Sequence, residues 1–275
     1  MMLQLLLAAL VPWTGVGPEN HLGGRKVSEG YLQGKVVFVQ RWDATQARSL
    51  DTLNRMERVW QSYKTKPFVL LGSHVTGSGA IAAAEKAISK AALTYPVYGA
   101  ADLKDRAPLS DKIPYFYVVD ALGRVSYRGS DERLAEMALV NALTNLASPP
   151  NARYWSRLVD HELDVLPGRA LVHLTEFRKL FPEAAKAYEG EYRRLRADVT
   201  VQKLARLEEF SRVAKDFDPR TPAFKAKELL MKIDRTIAAY NSLKEESNPV
   251  FVQEAKNCLA DLLWAQAALK ARFEK

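Results

Sequence analysis

Short apolar runs and helical stripes alternate along the first half of the chain. Lys35–Trp42 and Phe68–Val75 are almost continuously apolar, as expected for strands that are covered on both faces. Between them, apolar side chains recur at helical spacing over residues 46–63, and Pro67 ends the pattern. This stripe consists of Leu53, Met56, Val59, Trp60 and Tyr63. The pattern predicts two buried strands joined by an amphipathic helix.

The same alternation continues to about residue 147. Ser78–Leu93 has the composition of another helix, and Pro114–Gly129 predicts two strands joined by a turn over Asp120–Gly123. A helix from Asp131 to Ala147 follows, with Asp131 as its N-cap. Helices that cross between parallel strands, followed by a terminal hairpin, predict an α/β domain with a central mixed sheet flanked by helices.

A proline pair interrupts this pattern and separates two regions of different character. Ser148–Arg153 contains two consecutive prolines, which cannot continue a helix, so we expect a domain boundary there. Residues 151–275 are helical in character throughout. Apolar stripes over Ala226–Tyr240 and Phe251–Leu269 predict two helices that pack as an antiparallel hairpin. The second domain is therefore predicted to be all-α and built from antiparallel hairpins.

The first residues resemble a secretory signal. Leu3–Val11 is an apolar run of suitable length, and Gly15–Gly17 offers small residues for a signal peptidase, although no basic residue precedes the run. We therefore expect residues 1–17 to be a cleaved signal peptide and the protein to be periplasmic or extracellular. A mis-assigned start or a buried N-terminal strand are the alternatives, and either would favour a cytoplasmic protein. No later segment is apolar and long enough to predict a transmembrane helix.

The basic charge of the chain is spread rather than concentrated. The net charge is +8, and residues 1–150 carry 17 Lys and Arg against 13 Asp and Glu. Residues 151–275 carry 23 against 19, so both halves have the same excess. Charges of both signs alternate without a basic block or an aromatic-interleaved basic stripe. The composition therefore argues against a nucleic-acid partner.

Metal-binding and phosphate-binding motifs are missing from the sequence. Asp160–Glu162 looks metal-like, but consecutive side chains on a helix point about 100° apart and do not converge on one ion. His21 and His74 have no partner at ligand spacing, and His173 lies on a largely apolar face, where a satisfied core histidine is expected. Thr76–Ala80 lacks the lysine of a phosphate-binding loop. We predict no metal site and no cofactor.

Two segments resemble one known family. Gly24–Ser49 reads "GRKVSEGYLQGKVVFVQRWDATQARS", and Lys112–Gly129 reads "KIPYFYVVDALGRVSYRG". Both are similar to segments of thioredoxin-fold proteins of the TlpA-like and AhpC/TSA-like branch. The resemblance covers residues 24–147 and implies a thioredoxin-like domain. It also implies that Pro114 occupies the family's cis-proline position and that the two cysteines of the CxxC motif are replaced by Gln46 and Ser49.

Without the two cysteines, the redox activity of the family is not expected in this chain. Thioredoxin chemistry needs a thiolate at the start of a helix, where the helix dipole favours the anion, and a second thiol that resolves the mixed disulfide. Neither glutamine nor serine supplies such a nucleophile. The single cysteine, Cys258, lies in the second domain on an apolar stripe and is expected to be a buried core residue. No catalytic residue is therefore predicted.

The favoured hypothesis is a redox-inactive, exported binding or scaffold module. The resemblance implies an open backbone edge at the cis-proline loop, where an extended polypeptide could add as a strand. The orphan N–H groups of the helix that begins near Gln46 could hold a carboxylate. The candidate binding residues are Trp42, Thr45, Gln46, Ile113 and Pro114. Trp42 is also interpreted as a residue that covers the core, and the loop as inherited architecture without a ligand.

An enzyme of altered chemistry is the alternative. Glutathione transferases also combine a thioredoxin-like domain with a helical domain, and some use a hydroxyl at the first helix, a role that Thr45 or Ser49 could fill. Residual thiol oxidoreductase or peroxiredoxin-like activity is the other form of this alternative. The identity of a polypeptide partner, the oligomeric state and the role of the helical half do not follow from the sequence.

Overall fold

The computed structural model describes residues 13–75, 80–103, 113–215 and 222–273. The chain divides into two compact units, Met1–Ser148 and Pro149–Lys275. The apolar run Leu3–Val11 of the predicted signal segment lies outside the described residues, as do Thr76–Gly79 and Lys112. Within the described part of the chain, no helix combines the length and the hydropathy that crossing a membrane would require.

The first unit contains eight described strands and four described helices. The strands are β1 (Trp13–Thr14), β2 (His21–Gly23), β3 (Val36–Trp42), β4 (Phe68–His74), β5 (Val97–Gly99), β6 (Asp102–Leu103), β7 (Tyr115–Val119) and β8 (Val125–Gly129). The helices are α1 (Glu29–Leu32), α2 (Ala47–Tyr63), α3 (Ala80–Lys90) and α4 (Glu132–Ala147). A short 3₁₀ turn, Pro18–Asn20, precedes β2.

Six of these strands form one mixed sheet in the order β2-β5-β4-β3-β7-β8. β3 and β4 are parallel, as are β4 and β5, whereas β7 runs antiparallel to both β3 and β8. β3 and β4 are buried along almost their whole length, because the sheet is covered on both faces, as their continuous apolar runs predict. The remaining strands, β1 and β6, pair with each other in a separate two-stranded sheet.

The topology confirms a thioredoxin-like fold for the first unit. A central strand lies between parallel neighbours on one side and an antiparallel hairpin on the other. The peptide bond between Ile113 and Pro114, directly before β7, is cis. The helix between β3 and β4 buries Leu53, Met56, Val59 and Trp60, the side chains of the predicted stripe, while Tyr63 is half-buried. Asp131 caps α4 by accepting the Leu134 N–H at 3.0 Å, also as predicted.

All regular structure in the described part of the second unit is helical. The helices are α5 (Ala152–Glu162), α6 (Pro167–Leu180), α7 (Pro182–Ala185), α8 (Glu189–Ala197), α9 (Val199–Lys215), α10 (Ala223–Tyr240) and α11 (Pro249–Phe273). Two short 3₁₀ segments, Lys186–Tyr188 and Asn241–Glu245, connect them. The predicted final pair corresponds to α10 and α11, whose apolar faces meet in one core cluster that includes Ile233 and Leu262.

Helix α6 packs very closely against α9, and its first turn is capped by a residue far along the sequence. A Cβ atom on Gly168 would lie 2.5 Å from the Leu204 Cβ, so only glycine fits at this crossing. The Glu254 carboxylate of α11 accepts the N–H groups of Gly168 and Arg169 at 2.9 and 2.8 Å. A buried side chain from the last helix therefore satisfies the first turn of α6, whose own N-cap residue, Leu166, offers no side-chain acceptor.

A buried set of charged groups surrounds this cap. The Arg169 guanidinium donates to both oxygens of Glu208, at 2.9 and 3.1 Å, and the Cys258 thiol donates to the same carboxylate at 3.1 Å. Arg169 counters the cost of burying Glu208 and lowers the pKa of that carboxyl to about 2. Farther along α9 and α11, Lys215 and Asp261 form a second buried ion pair at 2.9 Å. Cys258 is thus a buried core residue, as predicted.

The pH dependence of folding tests the environment of Glu254. Burial raises the pKa of Glu254 to about 8, although two backbone N–H groups favour its anion. Between about pH 4.5 and about pH 8 the folded state therefore holds a proton that the unfolded state has released, so the free energy of unfolding falls as pH rises. We expect a slope of up to about 1.4 kcal/mol per pH unit in urea unfolding followed by methyl NMR of Leu259 and Leu262. Glu254→Gln should remove this contribution and make the slope smaller than in wild type.

The matched control is Glu245→Gln, which removes the same charge from an exposed position in the second unit. It is expected to keep the wild-type slope. Equal slopes in wild type and Glu254→Gln would contradict a proton bound at Glu254.

Candidate functional site

The candidate site begins where β3 ends. Asp43–Gln46 connects Trp42 to α2, and Gln46 is the N-cap of that helix without a side-chain capping bond. The Asp43 carboxylate accepts the backbone N–H and the hydroxyl of Thr45, at 2.8 and 2.7 Å. The Gln46 N–H donates to the Asp43 carbonyl at 3.1 Å, which closes the turn. The side chain of Thr45 is exposed and that of Gln46 half-buried, so both lie within reach of a ligand.

Ser49, the second position that the resemblance aligns with a cysteine, lies inside the first turn of α2 and is fully buried. Its hydroxyl oxygen accepts the Asp43 N–H at 3.3 Å, and its carbonyl accepts the Thr52 hydroxyl at 2.7 Å. The two positions therefore differ in kind. Gln46 is half-buried and its side chain hydrogen-bonds Asp43, whereas Ser49 ties the turn to the helix and has no exposed surface.

His74 is a member of this site that the sequence did not identify. It ends β4 in register with Trp42, the last residue of the parallel strand β3. Its Nε2 accepts the Ala44 N–H at 3.1 Å, and its ring meets that of Trp42 edge-on, with centroids 4.7 Å apart. The pairing of the two strand ends was the missed signal, since residues at the carboxyl ends of neighbouring parallel strands lie side by side.

Burial favours the neutral form of His74. Burial lowers the pKa of the imidazole, and the charge of nearby Asp43 only partly opposes this effect. The pKa of Asp43 itself is lowered: its partial burial favours the neutral acid, but the two hydrogen bonds from Thr45 and the proximity of His74 outweigh that cost. Because Nε2 accepts a hydrogen bond, the proton of the neutral ring resides on Nδ1. Among the described residues, neither His74 Nδ1 nor Trp42 Nε1 has a hydrogen-bond partner.

The cis-proline loop, Ile113–Pro114, lies at the same end of the sheet. Arg41 of β3 pairs with Tyr115 of β7, and since these strands are antiparallel, the residues after β3 approach those before β7. Pro114 is buried and Ile113 is half-buried. Ile113 forms no backbone hydrogen bond with any residue that the structure describes. Its amide and carbonyl are therefore available as unpaired strand-edge groups with respect to the described residues.

The five predicted binding residues do not play equivalent parts in this arrangement. Thr45, Gln46 and Ile113 retain accessible surface, whereas Trp42 and Pro114 are buried. The ring of Trp42 packs beneath the turn against His74, in the core position that the sequence also suggested for it. Of the five, the residues with accessible surface are thus Thr45, Gln46 and Ile113.

The single cysteine and His173 lie in the second unit. Cys258 belongs to the core of the second unit, and burial, with the charge of Glu208 beside it, raises the pKa of its thiol well above the ordinary value. In that unit, His173 is buried and bonded through Nδ1 to Glu162 at 2.6 Å, as expected for a satisfied core histidine. The described residues contain no cluster of three or more His, Cys, Asp or Glu side chains with the geometry of a metal site.

Comparison with known proteins gives structural likenesses only. No family model and no curated protein sequence matches the chain. A thiol-disulfide isomerase from Corynebacterium glutamicum matches 49% of this chain and 97% of its own, with 15% identity and a TM-score of 0.40. A thioredoxin family protein from Chlorobium tepidum matches 44% of this chain and 90% of its own, with 19% identity and a TM-score of 0.37. A thiol-disulfide oxidoreductase from Bacteroides fragilis matches 50% of this chain and 98% of its own, with 17% identity and a TM-score of 0.37. At these levels, function is not carried over to this chain.

Titration of His74 tests the electrostatics of the turn. We expect the NMR signals of the His74 imidazole to stay those of the neutral, Nδ1-protonated ring at pH 6.5, because burial lowers its pKa. Asp43→Asn should lower this pKa further, since it removes the neighbouring negative charge. Asp51→Asn, an exposed position in the first turns of α2, is the control and should leave the titration unchanged. A midpoint above 6.5 in wild type would contradict the burial argument.

Proposed function

We propose that the first unit is a redox-inactive, thioredoxin-like binding or scaffold module that receives an extended polypeptide at the cis-proline loop. The observation that carries this proposal is the combination at one end of the sheet: a helix start without sulfur, beside a strand edge whose backbone groups are unpaired among the described residues. We further propose that residues 1–17 direct its export, so that the module acts in the periplasm or outside the cell.

The helix start supports the loss of thiol chemistry. A nucleophilic thiolate gains its stability from the orphan N–H groups at a helix N-terminus. The residues available there are Gln46, at the N-cap, and Ser49, buried with its oxygen accepting the Asp43 N–H. The only thiol of the chain, on Cys258, is buried and donates to Glu208. Without a reactive sulfur at α2, this unit can bind a chain but cannot exchange electrons with it.

The strand edge supports binding. An extended peptide that adds to a sheet gains its affinity from main-chain hydrogen bonds, and side-chain contacts select its sequence. Ile113 offers an unpaired amide and carbonyl with respect to the described residues, and Thr45 and Gln46 offer accessible polar groups on the adjoining turn. The free N–H groups of the first turn of α2 add a site where a carboxylate of the bound peptide is favoured.

The hydroxyl-based alternative finds little support in the same geometry. A hydroxyl that stabilises a substrate thiolate has to donate its proton toward the ligand. The Thr45 hydroxyl instead donates to the Asp43 carboxylate at 2.7 Å, and Ser49 has no exposed surface. Glutathione transfer at this turn would require both side chains to leave these arrangements.

Restoring the two sulfurs tests the proposal directly. Wild type is expected to reduce insulin disulfides with dithiothreitol no faster than a heat-denatured sample. The double variant Gln46→Cys/Ser49→Cys should accelerate the reaction severalfold or more, since both thiols then lie in the first turn of α2. Arg58→Cys/Gln61→Cys has the same spacing in the last turns of the helix and is the matched control.

The control should remain near background, because the helix dipole disfavours a thiolate near the C-terminus. Activity of wild type above the heat-denatured sample would contradict the loss of thiol chemistry. Equal activity of the two double variants would contradict the assignment of Gln46 and Ser49 to the site of that chemistry.

Photocrosslinking tests the binding edge. A benzophenone-bearing amino acid at position 113 is expected to capture reduced, carboxymethylated α-lactalbumin, a permanently unfolded polypeptide, and excess unlabelled polypeptide should compete. The same group at position 134, where Leu134 of α4 is exposed and apolar, is the control for nonspecific capture. Capture at 113 should exceed that at 134 severalfold. Equal capture at the two positions would overturn the proposal of strand addition, whatever the outcome of the disulfide assay.

A further inference from the structure

The segment Trp13–Gly17 is built into the first unit, although the sequence assigns it to a signal peptide. Trp13 is only 8% exposed, and its backbone N–H donates to the Glu29 carboxylate at 2.9 Å. It belongs to β1, whose antiparallel partner is β6. Because a large aromatic ring stabilises a fold when it is removed from water, the burial of Trp13 contributes to the stability of this unit.

Strand β6 depends on this segment for its pairing. Within the described residues, β1 and β6 form a sheet of two strands, so β1 is the strand partner of β6 there. The Thr14 hydroxyl donates to the Asp102 carbonyl at 3.3 Å. The Asp102 carboxylate in turn accepts the hydroxyl of Tyr117 at 3.0 Å, and Tyr117 is a buried residue of β7, the strand that follows the cis-proline loop. Removing β1 would therefore leave β6 without its strand partner beside this loop.

The fold supplies its own reason for a glycine at position 15. Gly15 has a φ of +71°, which side chains rarely adopt, and a Cβ there would lie 2.7 Å from the Ala100 carbonyl oxygen. The Ala100 N–H is itself bonded to the His74 carbonyl at 2.9 Å. Gly17 has an ordinary φ of −109°, and the atoms nearest to a Cβ there belong to the Glu19 side chain. Of the two small residues that a signal peptidase would read, Gly15 is thus also required by packing.

Cleavage after Gly17 conflicts with these contacts. The mature protein would then lack β1, the buried ring of Trp13 and the glycine that fits against residue 100. The surface that the ring covers would be exposed to water, at a cost typical of deleting a buried aromatic side chain.

We propose that Trp13–Gly17 remains in the mature protein, so that any cleavage of a leader falls before Trp13 and not after Gly17. The segment is then the N-terminal strand and turn that hold β6. The inference refines the proposed export, on which its cellular test rests: the residues that direct export are those before Trp13.

Alanine at the two glycines tests this inference in protein that is expressed from the full sequence and purified from the fraction in which it accumulates. Gly15→Ala keeps a small residue for a signal peptidase but places a Cβ against the Ala100 carbonyl. It should lower the melting temperature by about 5 °C or more, because both the positive φ and the close contact disfavour alanine.

Gly17→Ala is the matched control and should melt within about 2 °C of wild type, because its φ suits alanine and the Glu19 side chain can move. An unchanged melting temperature in Gly15→Ala would overturn the proposal.

Truncation gives a second measurement that does not depend on export. A chain that begins at Trp13 should melt like the full chain, whereas a chain that begins at Pro18 should melt about 10 °C lower. Trp13→Ala should reproduce much of this loss. Leu134→Ala, which shortens an exposed apolar side chain of the same unit, should not. Equal melting temperatures of the two truncated chains would contradict the inference.

The mass of the chain locates the cleavage in cells. The full sequence is expressed in a bacterial host, and protein from the cytoplasmic and exported fractions is analysed by mass spectrometry. An exported protein whose N-terminus lies at or before Trp13 supports both this inference and export. An exported protein that begins at Pro18 overturns the inference and leaves export standing. An intact protein confined to the cytoplasm overturns export, whereas its retained segment agrees with the inference.

Discussion

The parallel pairing of β3 with β4 is the constraint on which the candidate site depends. It ends both strands at the same edge and so brings Trp42 beside His74. The histidine then accepts the Ala44 N–H, and the Trp42 carbonyl accepts the Val75 N–H at 2.9 Å. The turn that leads into α2 is therefore held by a neighbouring strand as well as by its own hydrogen bonds. The accessible groups of the turn rest on two buried rings whose positions are set by the sheet.

This support shows which groups hold the turn before α2 in place. Most of the hydrogen bonds that shape the turn come from backbone groups and from Asp43, and Gln46 and Ser49 add one side-chain hydrogen bond each. The shape of the helix start is therefore separable from the chemistry of the residues at its tip.

Long elements of the fold follow from the sequence, whereas short elements and long-range polar contacts do not. β3 and β4 are continuous apolar runs, and α2 has a clear stripe, so their patterns were sufficient. β5 and β6 have three and two residues and carry no periodicity; their pairing partners define them. The pairing of β3 with β4 also places His74 where it accepts the Ala44 N–H. The sequence alone does not predict this hydrogen bond, because its donor lies 30 positions away.

The second unit shows the same limit for charged residues. Glu208 and Glu254 stand on helices rich in charge, where carboxylates are ordinarily solvated, yet both are buried and bonded to α6. The apolar stripes predicted which helices pack, but not which polar side chains the packing would enclose.

The cap that Glu254 places on α6 has a consequence for synthesis of the chain. The acceptor lies on α11, 85 residues or more after the two amides that it satisfies. Until α11 emerges, the start of α6 has to remain hydrated, so the helical half can reach its final packing only after most of it has been translated.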